Sequence, residues 1–284
     1  MNVLTIQSHV VYGRVGNDAA TLPLQRLGHE AWRIDTVRFS NHPGHGGFRG
    51  VATEPGEIAD LVQGLDDCGL LRRCDAVLSG YVGAPGAAFA IAEAVARVKA
   101  ANPAAVYCCD PVIGDDGGVF VRPGVAEAIA DACVPAADIV TPNAFEAAHL
   151  TGIVPDTFEA ARAAAAALAA RGPRTVVLTS LRRRDRATGT IETLAHEAAG
   201  TWCAATPEIA LPGRPDGAGD LFAALFLGRW LASRDAGAAL AAATASVYGI
   251  LARTAASGSR ELEIVAAQEE IVAPTHDVEA TRIG

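Results

Sequence analysis

The sequence lacks a basic excess. Its 284 residues carry 23 Lys and Arg against 32 Asp and Glu, a formal net charge of −9. Proteins that bind nucleic acid neutralise phosphates with a basic face or stripe, so no nucleic-acid partner is expected. One basic run exists: Arg182, Arg183, Arg184 and Arg186. It reads either as a solvated loop or as a local field for a nucleotide polyphosphate. The six cysteines, at 68, 74, 108, 109, 133 and 203, include no C-x-x-C pair, so neither a zinc site nor a redox motif is indicated. Buried free thiols in a reducing cytosol account for them. The N-terminus MNVLTIQSHVVYGR has no basic leader and only a short apolar run, so no signal peptide is expected. The longest weakly apolar stretch, AGAALAAATASVYGILA, is broken by Thr, Ser and Gly. It reads as a packed helix and not as a membrane span. The expectation is a cytoplasmic protein with no membrane partner.

Common nucleotide signatures are missing too. There is no G-x-x-x-x-G-K-[ST]. The stretch GHGGFRG resembles G-x-G-x-x-G, but Arg49 takes the third glycine's place and no helical pattern follows. The H-R-D and D-F-G set of protein kinases is absent.

What is present is a globular composition, with 50% hydrophobic and 19% charged residues. The length fits one large α/β domain over residues 1–284, with enough buried surface to need no disulfide or metal staple. Short β-prone runs alternate with Ala-rich helical runs. NVLTIQS, DAVLSGY, AVYCCDPV, DIVTPN and RTVVLTSL read as strands. The segments between them have helical length and pattern, two with Pro or Gly at their ends. Apolar strands separated by helices predict a mostly parallel sheet covered on both faces. Residues 187–210 alternate as an added β-hairpin would. Two irregular loops stand out, at 41–50 and 114–120.

In open α/β sheets ligands bind beyond the carboxyl ends of the strands. Here those ends carry Ser8, Tyr81, Asp110, Thr141 with Asn143, and Thr179 with Ser180. Any one could be a turn former; five polar strand ends together point to a site. The stretch DGAGD, residues 216–220, precedes the apolar run LFAALFLGRWLA. Gly217, Ala218 and Gly219 would let an anion approach the backbone at a helix start. Asp220 beside that nest suits phosphoryl transfer to an alcohol, orienting the hydroxyl and taking its proton. The same stretch also reads as a helix cap after a tight turn. In PNAFE, Asn143 and Glu146 have capping-box spacing. Glu146 could equally help hold hydrated Mg²⁺, with Asp110 supplying further carboxylate charge; Asp110 could also be a turn residue before Pro111. His9, His42 and His45 fall in loop regions without metal-ligand spacing.

GAGDLFAALFLG, CDPV, TPNAFE and VVLTS resemble the ribokinase-like superfamily of small-molecule kinases. Within it, IQSHVVYGRVGNDAATLPLQRLG, VRFSNH and LSGY are similar to the pyridoxal kinase family, nearly end to end. The resemblance implies an α/β ribokinase-like fold, a central mostly parallel sheet flanked by helices on both faces. It implies ATP-dependent phosphorylation of the 5′-hydroxymethyl of pyridoxal, and of pyridoxamine and pyridoxine, in vitamin B6 salvage by a homodimer. By position, Asp220 matches the catalytic base, and Gly217, Ala218 and Gly219 the anion hole. Ser8 matches a contact to the pyridine ring, and Tyr81 lines the substrate side. Asp110, Thr141, Asn143, Glu146 and Thr179 match positions around the nucleotide phosphates, Mg²⁺ and a monovalent cation (K⁺). Ser180 lies near the nucleotide. One departure concerns the vitamer. After FSNH the family carries Thr, where this chain has Pro43, then Gly44 and His45. Pro43 cannot replace that hydroxyl, and His45 is expected to take over part of ring recognition. Two alternatives remain at this stage: a kinase of another heterocycle such as hydroxymethylpyrimidine, and a non-catalytic vitamer sensor.

Overall fold

The computed structural model describes residues 1–283 except 212, 214 and 215. The chain opens with β1 (Asn2–Tyr12), α1 (Asn17–Arg26), β2 (Glu30–Asn41), β3 (Gly50–Ala52) and α2 (Pro55–Asp67). Next come β4 (Ala76–Ser79), α3 (Pro85–Ala101), β5 (Val106–Cys109) and a small hairpin, β6 (Gly114–Asp115) and β7 (Gly118–Val119). A helical run follows: α4 (Val125–Ala128), a π-turn at Ile129–Cys133, and α5 (Val134–Ala136). Then come β8 (Ile139–Val140), α6 (Ala144–Thr151), α7 (Phe158–Ala169) and β9 (Thr175–Leu181). The chain continues through β10 (Thr190–Glu197), β11 (Gly200–Pro207), α8 (Ala218–Ser233), α9 (Ala236–Ser257), α10 (Glu269–Val272) and β12 (Ala280–Arg282).

Ten strands form one sheet in the order β12-β11-β10-β9-β8-β5-β4-β1-β2-β3. Its centre, from β2 to β9, is parallel. The edges are antiparallel, β3 on one side and β10 to β12 on the other. Side-chain alternation explains the two-sided burial. Leu4, Ile6, Val77, Tyr107, Cys109 and Val176 enter the core under α2, α3 and α7. Val3, Leu78, Val106, Cys108, Ile139 and Val177 enter the core under α1, α8 and α9. Adjacent Cys108 and Cys109 therefore face opposite layers. All six cysteines are free, and Cys68, unlike the others, is exposed.

Helix α8 is buried on nearly every side, with nine buried residues from Leu221 to Leu231. It packs between α1 and α9. Helix α9 is long and apolar enough to cross a membrane by length and composition alone, and more than half of its most apolar stretch is buried within the fold.

Several expectations need adjusting. Strand β1 runs past Ser8 to Tyr12, because β2 continues to pair with it as far as Asn41. Residues 187–210 do form a hairpin, and it extends the main sheet through β9. The irregular 114–120 loop folds into β6 and β7. Strands β3 and β12 carry little sequence signal, being three-residue edge strands.

Candidate active site

A cavity of about 800 Å³ opens beyond the carboxyl ends of the parallel strands. One end is walled by Val10, Val15, Val37, Phe39 and Tyr81, which pack as a small apolar cluster. Ser8, His42, Pro43 and Gly44 add polar groups and backbone there. The other end is walled by Ile191, Pro207, Leu211, Val247 and Leu251, with Ser180 and Arg182 beside them. Between the two lie Asp110, Thr141, Asn143 and Glu146, facing Gly217 to Asp220. An apolar slot at each end and charge between them suit two flat ring systems whose polar substituents meet in the middle.

The middle is built by helix ends. Gly217 precedes α8 at φ 86°, in the left-handed region. A Cβ there would overlap the carbonyl oxygen of Arg14, so only glycine fits. The first amides of α8 have no intrahelical partners, and Gly217 to Asp220 line the cavity. Gly219 is open, with only Asp110 Oδ2 of the described residues near the place of a Cβ, at 3.8 Å. Asp220 occupies the first turn of α8. The residue is half-exposed to the cavity, yet its Oδ1 is shut off from solvent and has no hydrogen-bond partner among the described residues. Burial pushes its carboxyl up to about 6; the Gly16 backbone and the His42 imidazole act in the opposite direction.

Glu146 is engaged by the backbone. Its Oε1 accepts from the amide of Ile113 at 2.9 Å, and its Oε2 from that of Asn143 at 2.9 Å. Asn143 returns the capping bond to the Glu146 amide at 2.9 Å, so the capping box exists. Burial nevertheless pushes Glu146 up to about 7, against the help of those amides. Asp110 accepts from the Thr141 hydroxyl at 3.1 Å. Burial, then the charges of Glu146 and Asp220, hold it well above the ordinary carboxylate range. Among the described residues, no cluster of three or more His, Cys, Asp or Glu is arranged to hold a metal. The two carboxylates fit an ion that brings its own waters and phosphate ligands.

Strand β9 ends in strain. Ser180 has φ 56°, one of two non-glycine residues with positive φ among those described. Such conformations cluster where a chain wraps a ligand. The basic run that follows is neither solvated throughout nor wholly aimed at the cavity. Arg183 and Arg186 both pair with Glu192, which is 1% exposed. Arg184 pairs with Asp156 at 3.5 Å. Only Arg182 of the four lines the cavity, held by Glu208 at 2.7 Å.

Ser8, Tyr81, Asp110, Thr141, Asn143, Glu146, Thr179, Ser180 and residues 217–220 all line this cavity. His45 does not. Its Nε2 pairs with Glu261 at 2.6 Å, and its ring meets Tyr12 edge-on at 5.5 Å. The 3₁₀ turn at Pro43–His45 carries its imidazole toward Glu261 and away from the cavity lining, where a ring contact from His45 was expected. His42 stands at the wall instead, with Nδ1 2.8 Å from Asp216. That pairing, aided by Glu261 and Asp220, raises its pKa although burial opposes it. Sequence reasoning also missed the apolar slot of Ile191, Val247 and Leu251. Its residues come from β10 and α9, far apart in the chain and unremarkable in type.

A family model described as phosphomethylpyrimidine kinase matches residues 73–284. The pyridoxal kinase PdxY of Deinococcus radiodurans is 50% identical over 287 residues, covering 99% of this chain and 96% of that protein. The pyridoxal kinase PdxY of Rubrobacter xylanophilus is 49% identical over 276 residues, covering 96% and 94%. The structure of pyridoxal kinase from Leishmania donovani in complex with ADP and pyridoxamine superposes with a TM-score of 0.92 at 30% identity, covering 100% of this chain and 99% of that one. The chain belongs to the pyridoxal kinase family of the ribokinase-like superfamily.

Proposed function

We propose that this protein transfers the γ-phosphoryl group of ATP to the 5′-hydroxymethyl of pyridoxal, and also of pyridoxamine and pyridoxine, in vitamin B6 salvage. The observation that carries it is Asp220, in the first turn of α8 between two apolar slots. The slot of Val10, Val15, Val37, Phe39 and Tyr81 takes the pyridine ring, with Ser8 and His42 offering polar contacts. The slot of Ile191, Val247 and Leu251 takes adenine. The free amides at Gly217, Ala218 and Gly219 receive the γ-phosphoryl oxygens. Asp220 accepts the hydroxyl proton as the substrate oxygen bonds to phosphorus. The bond from phosphorus to the bridging oxygen breaks, and ADP leaves with that electron pair.

Mg²⁺ belongs to this reading. Asp110 and Glu146 would hold it through water, where it would neutralise phosphate charge. A monovalent cation, K⁺, would complete the set near Thr141 and Thr179. A homodimer is part of the same reading. The exposed apolar residues Val11, Tyr12, Phe48 and Val51 lie at the end of β1 and along edge strand β3, a surface that a second copy would cover. A cytoplasmic location, where ATP is abundant and thiols stay reduced, suits both substrate and cysteines.

The family model's description favours one second reading, phosphorylation of hydroxymethylpyrimidine. An ATP-consumption assay with pyridoxal, pyridoxamine, pyridoxine and hydroxymethylpyrimidine separates the two. The proposal expects one ADP per phosphorylated pyridoxal. Turnover confined to hydroxymethylpyrimidine would select the second reading, and vitamer binding without ADP release would make the chain a sensor.

A further inference from the structure

Strand β1 buries a glutamine whose side-chain amide finds no hydrogen-bond partner among the described residues. Gln7 is 0% exposed, and neither Oε1 nor Nε2 has a partner among the described residues. An unpaired amide in a dry core is costly, so such a side chain needs an explanation. Its neighbours supply one. Gln7 lies on the face of β1 that meets α1 and α8, since Val3 of the same face joins that core. A Cβ placed on Gly80 would overlap Gln7 Oε1 and stand 3.3 Å from Asp220 Oδ1. Gly80 is the residue after β4, and its bare α-carbon leaves room beside both side chains. Asp220 Oδ1 is itself buried and without a partner among the described residues. Two unpaired polar groups of complementary chemistry thus share one small space. Half a turn of the amide puts Nε2 where Oε1 stands.

We infer that Gln7 is a positioning residue for Asp220: its amide N–H donates to Oδ1, directly or through one water, and leaves Oδ2 to meet the substrate hydroxyl. The inference rests on the proposed role of Asp220 as base. Gln7 does not touch the substrate, since it lies outside the cavity wall. The backbone fixes its place: the Asn17 side chain donates to the Gln7 carbonyl at 3.4 Å and to that of Ile34 at 3.1 Å. A neutral donor on one oxygen favours the ionised carboxylate without itself titrating. Charged groups on the surrounding elements act on Asp220 as well. His42, after β2, lowers its pKa, while Asp216 in its own loop and Asp18 of α1 raise it. The charge of Asp220 in turn helps raise Asp110, just past β5, and Glu146 of α6.

The test is Gln7→Met, which keeps length and removes the amide, with Gln7→Glu as the second variant. Turnover is followed from pH 5 to 9, and pyridoxal and ATP affinities are measured separately. In Gln7→Met the acid limb of kcat should move up by about one pH unit, and plateau kcat should fall about tenfold. Both affinities should stay within about twofold, because Gln7 touches neither ligand. Gln7→Glu should move the limb up further, through like charge beside Asp220. An acid limb unchanged in both variants, or in Gln7→Glu if Gln7→Met does not fold, overturns the inference. Asp220→Asn is the control. If it keeps an active enzyme with the same acid limb, Asp220 is not the base, and both readings fall together. If it is inactive while Gln7→Met behaves as wild type, only the role of Gln7 falls.

Discussion

Two glycines two positions apart should fail in opposite ways when each becomes alanine. At Gly217 the left-handed φ of 86° costs an L-residue about 1–2 kcal/mol. The new methyl would also overlap the Arg14 carbonyl and stand 3.2 Å from Val15 Cα. Neither neighbour is the free end of a flexible side chain, so the backbone must shift. Gly217→Ala should therefore lose stability and activity together. At Gly219 nothing among the described residues but Asp110 Oδ2, at 3.8 Å, is near the place of a Cβ. The residue is already helical, and alanine gains up to about 1 kcal/mol of helix propensity. Gly219→Ala should fold at least as well, with a Tm unchanged or raised by about 2–4 °C. Its methyl, however, stands between the amides of α8 and Asp110, where the phosphoryl group would go. Blocking one such donor set should cost about 100-fold in kcat. Thermal melts and steady-state kinetics on the two variants give four numbers. A stable Gly219→Ala enzyme with full turnover would refute the anion nest.

Glu146→Gln keeps one oxygen acceptor but turns an N–H donor toward either Ile113 or Asn143. Leaving a buried amide unpaired should cost about 1–3 kcal/mol, read as a lower Tm, and the Mg²⁺ concentration giving half-maximal turnover should rise. A lower Tm with unchanged Mg²⁺ dependence would leave Glu146 a cap only. The raised carboxyls also predict a pH effect on stability. Glu146 goes from 4.5 to about 7 and Asp220 from 3.8 to about 6, so the folded chain holds protons that the unfolded chain has released. Their contribution is full below about pH 4 and is lost as pH rises through 6 to 7. The Tm of the ligand-free protein should rise by several degrees from pH 8 to pH 5.5. A flat or falling Tm over that window would contradict the burial of these groups.

The parallel core was legible because its strands are apolar on both faces and end in polar residues: Asp110, Thr141 and Ser180 sit where the rule for open sheets puts a ligand. Gly217 to Asp220 was legible as chemistry or as a cap; in the fold the glycine turn starts α8 with no side-chain cap bond, and Asp220 lines the cavity in the helix's first turn. Glu146 is the same case, a capping box buried in a cavity wall. Tertiary pairing was not legible. Nothing local says that Arg183 will sink onto Glu192, or that the turn at Pro43 will carry His45 to Glu261 and leave His42 beside Asp216. Gln7 looked like one more strand residue; only the bare α-carbon of Gly80, 73 positions away in the chain, makes it a neighbour of Asp220.

In the proposed reaction Asp220 takes the proton of the substrate hydroxyl. Asp220→Asn tests it most directly, because the amide keeps the shape and leaves the backbone nest intact. The account predicts at least about a 100-fold loss of kcat with pyridoxal, while calorimetric affinities for pyridoxal and for ATP stay near those of the wild type. It also predicts that the fall in wild-type kcat/KM on acidification, centred near the value of about 6 for this carboxyl, is missing from the residual activity. An Asp220→Asn enzyme that turns over pyridoxal at a near-normal rate, with the same acid limb, would contradict the account and reduce Asp220 to a helix-terminal residue.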